Sequence, residues 1–176
     1  LFPYTTLFRS NSTPHAWFWL APLLDVMGTE TNWKHSQRFT PMDDATLLYI
    51  RALCKGKPFC FLMNTDFTQW TYADSEKFMR VCLAYGMFPG YFSANASTDH
   101  YFKNPGWYNR DRPLFKRYMP LCKRVAEAGW EPVTGLQVAG GEKIRVERFG
   151  KSGGTQYITV RSEEHTSELQ SRSELV

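Results

Sequence analysis

Three stretches of this chain end in residues that could do chemistry. Asp25 and Glu30 follow an apolar run near residue 20. Asn64 and Asp66 follow the run Phe59-Cys60-Phe61-Leu62-Met63, and Ser93, Asn95 and Asp99 follow a third. Two carboxylates about 5–10 Å apart can cleave a glycosidic bond, one as acid and the other as nucleophile or base. Adjacent strands of a sheet lie about 4.8 Å apart, so carboxylates closing neighbouring strands fall within reach of that range. The candidate catalytic residues are therefore Asp25 and Asp66 first and Glu30 next. Each also has a plain local role: Asp66 as the former of an Asx turn, Asp25 as a strand-end cap, Glu30 as an exposed loop charge. Asn64, Asn95, Trp33, Trp70 and Trp107 are the candidate substrate contacts. Flat aromatic faces beside carboxylates and amides suit sugar rings, whose C–H faces stack while their hydroxyls hydrogen-bond. Trp33, Trp70, Tyr101, Trp107 and Tyr108 all fall in expected loops; the alternative is that half of them pack those loops onto the core.

The elements that position these residues repeat. The unbroken run at 59–63 reads as a strand buried on both faces, as in a parallel sheet covered by helices. In the first unit the run 16–24 closes on Asp25; Pro22 is awkward in a central strand, so the strand is either 17–21 or 23–27, the latter favoured. A helix follows, with Thr40 as N-cap and Pro41 at N1, with Leu47, Ile50 and Cys54 on one face and Gly56 as its stop. The second helix begins near Asp74 and carries Phe78, Val81, Cys82 and Tyr85 inward, stopping at Gly86. The third strand spans 87–92, and Asp111 is expected to cap a helix with Pro113 in its first turn and Gly129 as its stop. Residues 144–149 alternate with period two, Gly150 to Gly154 reads as a hairpin turn, and 156–160 as the returning strand. Strand–helix repeats of this kind predict parallel strands joined by right-handed crossovers. Long loops after strands and short ones after helices favour a (β/α)8 barrel over an open sheet.

Composition narrows the classes. The formal charge of +4 is a modest excess, and much of it lies at Lys116, Arg117, Lys123 and Arg124 on an expected helix. Aromatic residues do not interleave with these cations, so a solvated helix face explains them better than a nucleic-acid stripe. Nothing approaches the run of about 20 apolar residues that a membrane span needs. Cys54, Cys60, Cys82 and Cys122 lack metal-type spacing and read as small core residues. His15, His35 and His100 form no ligand cluster, so neither a metal nor a cofactor is expected. No Gly-x-Gly-x-x-Gly, Walker-type loop or Gly-x-Ser-x-Gly occurs.

Several segments resemble the later repeats of glycoside-hydrolase-like barrel proteins. They are Leu24-Asp25-Val26-Met27-Gly28-Thr29-Glu30-Thr31, Leu62-Met63-Asn64-Thr65-Asp66-Phe67, Tyr85-Gly86-Met87-Phe88-Pro89-Gly90-Tyr91-Phe92-Ser93 and Asn109-Arg110-Asp111-Arg112-Pro113-Leu114-Phe115. Ala126-Glu127-Ala128-Gly129-Trp130-Glu131-Pro132-Val133 and Val146-Glu147-Arg148-Phe149-Gly150 resemble the passage from such a barrel to its C-terminal β domain. The resemblance implies a carbohydrate-active barrel and does not identify which carboxylate is the acid.

The termini resemble something else. Thr5 to Ser10 matches a one-frame translation of a short-read sequencing adapter, and Arg161 to Ser167 matches the adapter used at the other end. Residues 1–10 and 161–176 are therefore expected to be extraneous. The chain then reads as α/β: the last three βα units of a (β/α)8 barrel at 11–130, and the start of an antiparallel β domain at 131–160. The expected parent is a glycosidase acting on a carbohydrate, with no nucleic-acid or membrane partner. A barrel that only binds glycan, and a piece with no activity of its own, remain alternatives.

Overall fold

The structure, a computed structural model, describes residues 9–11, 18–31, 42–92, 100–133 and 144–162. Strands β1 (Arg9–Asn11), β2 (Val26–Thr31), β3 (Phe59–Met63) and β4 (Phe88–Tyr91) form one sheet in the order β1-β2-β3-β4. Every pairing in it is parallel. Helices α1 (Asp44–Leu53), α2 (Tyr72–Ala84) and α3 (Pro105–Ala128) connect or follow these strands. A second sheet, antiparallel, is built from β5 (Trp130–Glu131), β6 (Ile144–Phe149) and β7 (Tyr157–Ser162). Two 3-10 turns, Phe18–Leu23 and Tyr101–Lys103, precede β2 and α3. The chain is thus mixed α/β with a parallel and an antiparallel sheet.

The parallel sheet has two unlike faces. Register aligns Met27 with Phe59, Thr29 with Phe61 and Thr31 with Met63, and then Phe61 with Pro89 and Met63 with Tyr91. All of these are buried. The alternate residues Val26, Gly28, Glu30, Cys60, Leu62, Phe88 and Gly90 are only partly buried. The expectation that 59–63 is sealed on both faces therefore fails: the helices cover one side only. Leu47, Ile50, Phe78, Met79 and Cys82 on α1 and α2, with Leu114, Tyr118 and Cys122 on α3, join Phe59, Phe61 and Met63 in that core. Gly90 is small for a reason on the other side, where an added Cβ would lie 2.9 Å from Leu62 Cδ1.

The expected first strand, 23–27, is also corrected. A 3-10 turn holds residues 18–23, and β2 begins after Asp25 rather than before it. Pro22 ends any ladder through that run, and Lys57 fixes the turn by donating to the Ala21 and Leu24 carbonyls. The cap of α1 is Asp43, whose Oδ1 accepts from the Thr46 backbone N–H at 2.8 Å. The residues expected to start it, Thr40 and Pro41, lie outside the described residues. In α2 the start is Thr71, closed by a reciprocal capping box with Asp74. Helix α3 starts at Pro105, six residues before Asp111, because Asn104 caps it by accepting from Gly106 N at 3.0 Å with proline at N1. Asp111 is instead inside the helix and fully buried.

Some adapter-like residues take regular structure. Arg9 and Ser10 extend along β2, and Arg161 and Ser162 end β7. An open sheet edge offers unpaired backbone groups to any extended segment, whatever its side chains.

The antiparallel sheet docks at the end of α2. Gly86, with φ +59, leaves the room that the Phe149 ring occupies: an added Cβ would lie 2.3 Å from Phe149 Cε1. Thr159 Oγ1 donates to the Ala84 carbonyl at 2.7 Å, and Gly150 N to the Gly129 carbonyl at 2.8 Å.

Candidate functional site

The carboxyl ends of β2 and β3 bring one carboxylate and one amide together. Glu30 is aligned with Leu62, and Asn64 lies two residues farther along, so the alternation of the strand sends both side chains to the uncovered face. The ladder runs on past the strands through Asn64 N to the Thr31 carbonyl at 3.1 Å. Asn64 Nδ2 donates to Glu30 Oε2 at 3.0 Å. Asn64 is fully buried, and its Oδ1 has no hydrogen-bond partner. A partly buried carboxylate held by a buried amide, at the carboxyl end of a parallel sheet, is where such folds place ligands.

The other expected site residues are spread more widely. Asp66 lies just past β3 but is exposed, and its Oδ1 accepts from both Thr68 N (2.9 Å) and Thr68 Oγ1 (2.6 Å). It forms the Asx turn that leads toward α2. Asp25 is exposed at the amino end of β2, about 17 Å along the strand from Glu30 at about 3.3 Å per residue. The pairing of Asp25 with a carboxyl-end site is thus not available. Trp33 and Asn95 lie outside the described residues.

The two remaining tryptophans are tied into packing. Trp70 is buried and donates from Nε1 to Ser75 Oγ at 2.7 Å. Ser75 Oγ in turn donates to Asp111 Oδ2 at 2.7 Å, and Tyr101 donates to the same oxygen at 2.9 Å. Arg110 closes the network through Nε to Asp111 Oδ1 at 2.7 Å and through a bond to the Trp70 carbonyl. Burial, and then donation to Asp111, holds the Tyr101 hydroxyl well above its ordinary range. Phe67 sits at the centre of the same packing, 5.8 Å from Trp70 and 4.8 Å from Tyr101 between ring centroids. Trp107 is half-buried against it at 5.7 Å. Trp70 is therefore a core residue and not a sugar platform. The signal that could have found this is Ser75 at five residues from Trp70: a short hydroxyl inside a helix is placed to satisfy an indole N–H.

Two cavities open along α3. One of about 470 Å³ is lined by Pro120, Lys123, Arg124 and Glu127 with Thr155 of the β6–β7 connection and Tyr157 of β7. The other, about 270 Å³, is lined by Phe102, Tyr108, Arg112 and Phe115. Neither is lined by Glu30, Asn64 or Asp66. Among the described residues, no group of three His, Cys, Asp or Glu side chains is placed to hold a metal, and no helix is long and apolar enough to cross a membrane.

No family model matches the chain, and no curated protein or solved structure matches it either.

Proposed function

We propose that this chain carries consecutive βα units of a carbohydrate-active (β/α)8 barrel in which Glu30 is one of two catalytic carboxylates and Asn64 positions it. The observation that carries the reading is the 3.0 Å bond from Asn64 Nδ2 to Glu30 across the carboxyl ends of adjacent parallel strands. The three parallel strands β2-β3-β4 lie side by side in chain order, as consecutive βα units of a barrel do. The uncovered face of Cys60, Leu62 and Phe88 supports it too, since a barrel turns that face inward onto layers of side chains. The resemblance of residues 24–31, 62–67 and 85–93 to glycoside-hydrolase-like barrels supplies the substrate class.

In this reading a carboxylate accepting an amide N–H is set up as nucleophile or general base, and the acid comes from the second carboxylate. Asp66, past the neighbouring strand, keeps its candidacy through Oδ2; Asp25 does not. The test is Glu30→Gln in the barrel-length protein, assayed on nitrophenyl glycosides and polysaccharides. Turnover should fall by about 10³-fold or more with an unchanged melting temperature, as loss of one member of a catalytic unit does. Turnover within tenfold of the parent would remove Glu30 from the site.

Binding without catalysis is the second reading. It is favoured by the commitment of Asp66 Oδ1 to its own turn. Calorimetric binding of an oligosaccharide with no product released would select it.

A further inference from the structure

We infer that the groove of Phe102, Tyr108, Arg112 and Phe115 is a second carbohydrate site, separate from Glu30, that takes a uronate ring with its carboxylate on Arg112. The inference rests on the carbohydrate reading above and adds to it the location and charge of a ligand. On α3, Tyr108, Arg112 and Phe115 stand at i, i+4 and i+7, one strip of the helix surface. Phe102, in the 3-10 turn, forms the facing wall. Phe102 as a whole is 62% exposed, with its ring edge-on to Tyr101 at 4.9 Å and 6.2 Å from Phe115. A large aromatic left open beside two others is a surface for a flat apolar ring face. The cavity of about 270 Å³ lies just below the roughly 300–1,000 Å³ of sites for larger ligands, which is room for a single ring.

Arg112 sets the charge of that ring. Its guanidinium carbon lies 6.0 Å from the Tyr108 ring centroid, and NH2 donates to Asn109 Oδ1 at 2.7 Å. The Tyr108 ring and one hydrogen bond hold the guanidinium at the groove's lining, and its planar fork of donors suits a carboxylate. Lys116, one turn beyond Arg112, is exposed and adds a second cation. The nearest acid on the helix, Asp111, is fully buried and held by Arg110, Ser75 and Tyr101, so it does not offset them. A neutral sugar would use the aromatic walls and leave this charge unanswered. The groove stands on the helix side of the sheet: Tyr101 packs 4.6 Å from Tyr91, the last residue of β4, on the covered face. Glu30 projects from the opposite face, so the two sites do not share a ligand ring.

The test is an NMR titration of the full chain with trigalacturonate and, as the neutral counterpart, galactotriose. Backbone amide shifts should concentrate at 102–116, with trigalacturonate bound at least about tenfold tighter at low salt, the advantage shrinking as salt screens the charge. Arg112→Gln should abolish the advantage, and Phe102→Ala should weaken both ligands. Both side chains are exposed, and circular dichroism of each variant checks the fold. Equal binding of the two sugars, or an Arg112→Gln protein that still prefers trigalacturonate, overturns the inference. So does a Phe102-dependent dimer seen by light scattering with no sugar-induced shift. If galactotriose shifts only residues near Glu30, the groove is overturned and the carbohydrate reading stands. If neither sugar shifts any residue, both fall.

Discussion

The two sheets of this molecule bury different mixtures of surface. In the parallel sheet the covered face is apolar, with Phe59, Phe61 and Met63 fully buried. In the antiparallel sheet the covered face carries Arg145, Glu147, Thr159 and Arg161 beside the apolar Phe149 and Tyr157, while Ile158 and Val160 on the other side are 44% and 67% exposed. The inward face of the hairpin is chosen by what it meets. Asp44, the first residue of α1, accepts from Arg145 Nε at 2.9 Å and also from Arg161 and Tyr85. A carboxylate at a helix N-terminus is favoured by the helix dipole, which makes it a suitable anchor for two guanidinium groups. Glu147 is held by Trp130 Nε1 at 2.6 Å, yet burial still pushes its carboxyl above the ordinary range. Apolar packing alone holds one sheet in place, whereas a small apolar cluster around Phe149 and Trp130 together with a polar network holds the other. Alternation with period two identifies a strand but does not say which side faces in.

The sharpest way to break this comparison is to cut neighbouring side chains of β3. Phe61→Ala should cost about 3–5 kcal/mol by urea unfolding, the range for a fully buried aromatic. Leu62→Ala, on the partly buried face, should cost about half of that or less. Equal losses would mean that the second face is as well packed as the first.

Next in size is Asp44→Asn, which removes the charge that both arginines share. Breaking a mostly buried ion pair from one side costs about 3 kcal/mol or somewhat more; with Arg145 45% exposed, about 2–3 is expected. Hydrogen exchange should speed up in β6 and β7 and stay unchanged in β3. Uniform acceleration would show that the sheets unfold as one unit.

The α/β layer has its own sensitivity, to alkali. Burial pushes the Cys54 thiol up to about 11 and the Cys122 thiol up to about 12. An unfolded thiol ionises near 8.5. Below that pH both states hold the proton and the stability is fully present. Above it the unfolded state releases its proton while the folded state retains it, so stability is lost progressively as pH rises toward 11–12. By pH 10 each thiol should account for about 1–2 kcal/mol, read as a lower urea midpoint than at pH 7. Burial raises the Cys82 thiol as well, so Cys54→Ala should reduce that pH dependence by about a third.

How much of this was legible depends on where local signals were unambiguous. The five apolar residues of β3 read as a strand and form one, and Asp74 placed the start of α2 to within two residues of Tyr72. Strand β2 was misplaced because Val26-Met27-Gly28-Thr29-Glu30-Thr31 is half polar: its covered side includes Thr29 and Thr31, which no apolar pattern reveals. That shift put Asp25 at the wrong end of the sheet and ranked it above Glu30. Asp111 before Pro113 imitates a cap, but Asn104-Pro105 upstream is the cap that is used, and the helix continues through both later prolines. Asp66 behaves as its local role in the sequence allowed. The Glu30–Asn64 contact needed the parallel register, since the two residues are 34 apart in the chain.

The smallest expected effect tests the outer face of the hairpin. Val160 lies near the end of β7, which has no strand beyond it among the described residues, and its side chain is mostly exposed. Val160→Thr keeps the β-branched shape that suits a strand and replaces one methyl with a hydroxyl. On an exposed position that change should shift stability by no more than about 0.5 kcal/mol. An apolar edge strand also templates pairing between chains, so the same substitution should lower concentration-dependent light scattering while the urea midpoint holds. A loss above about 1.5 kcal/mol would show that this face is covered in solution, and the contrast between the two sheets would then reduce to one of composition alone.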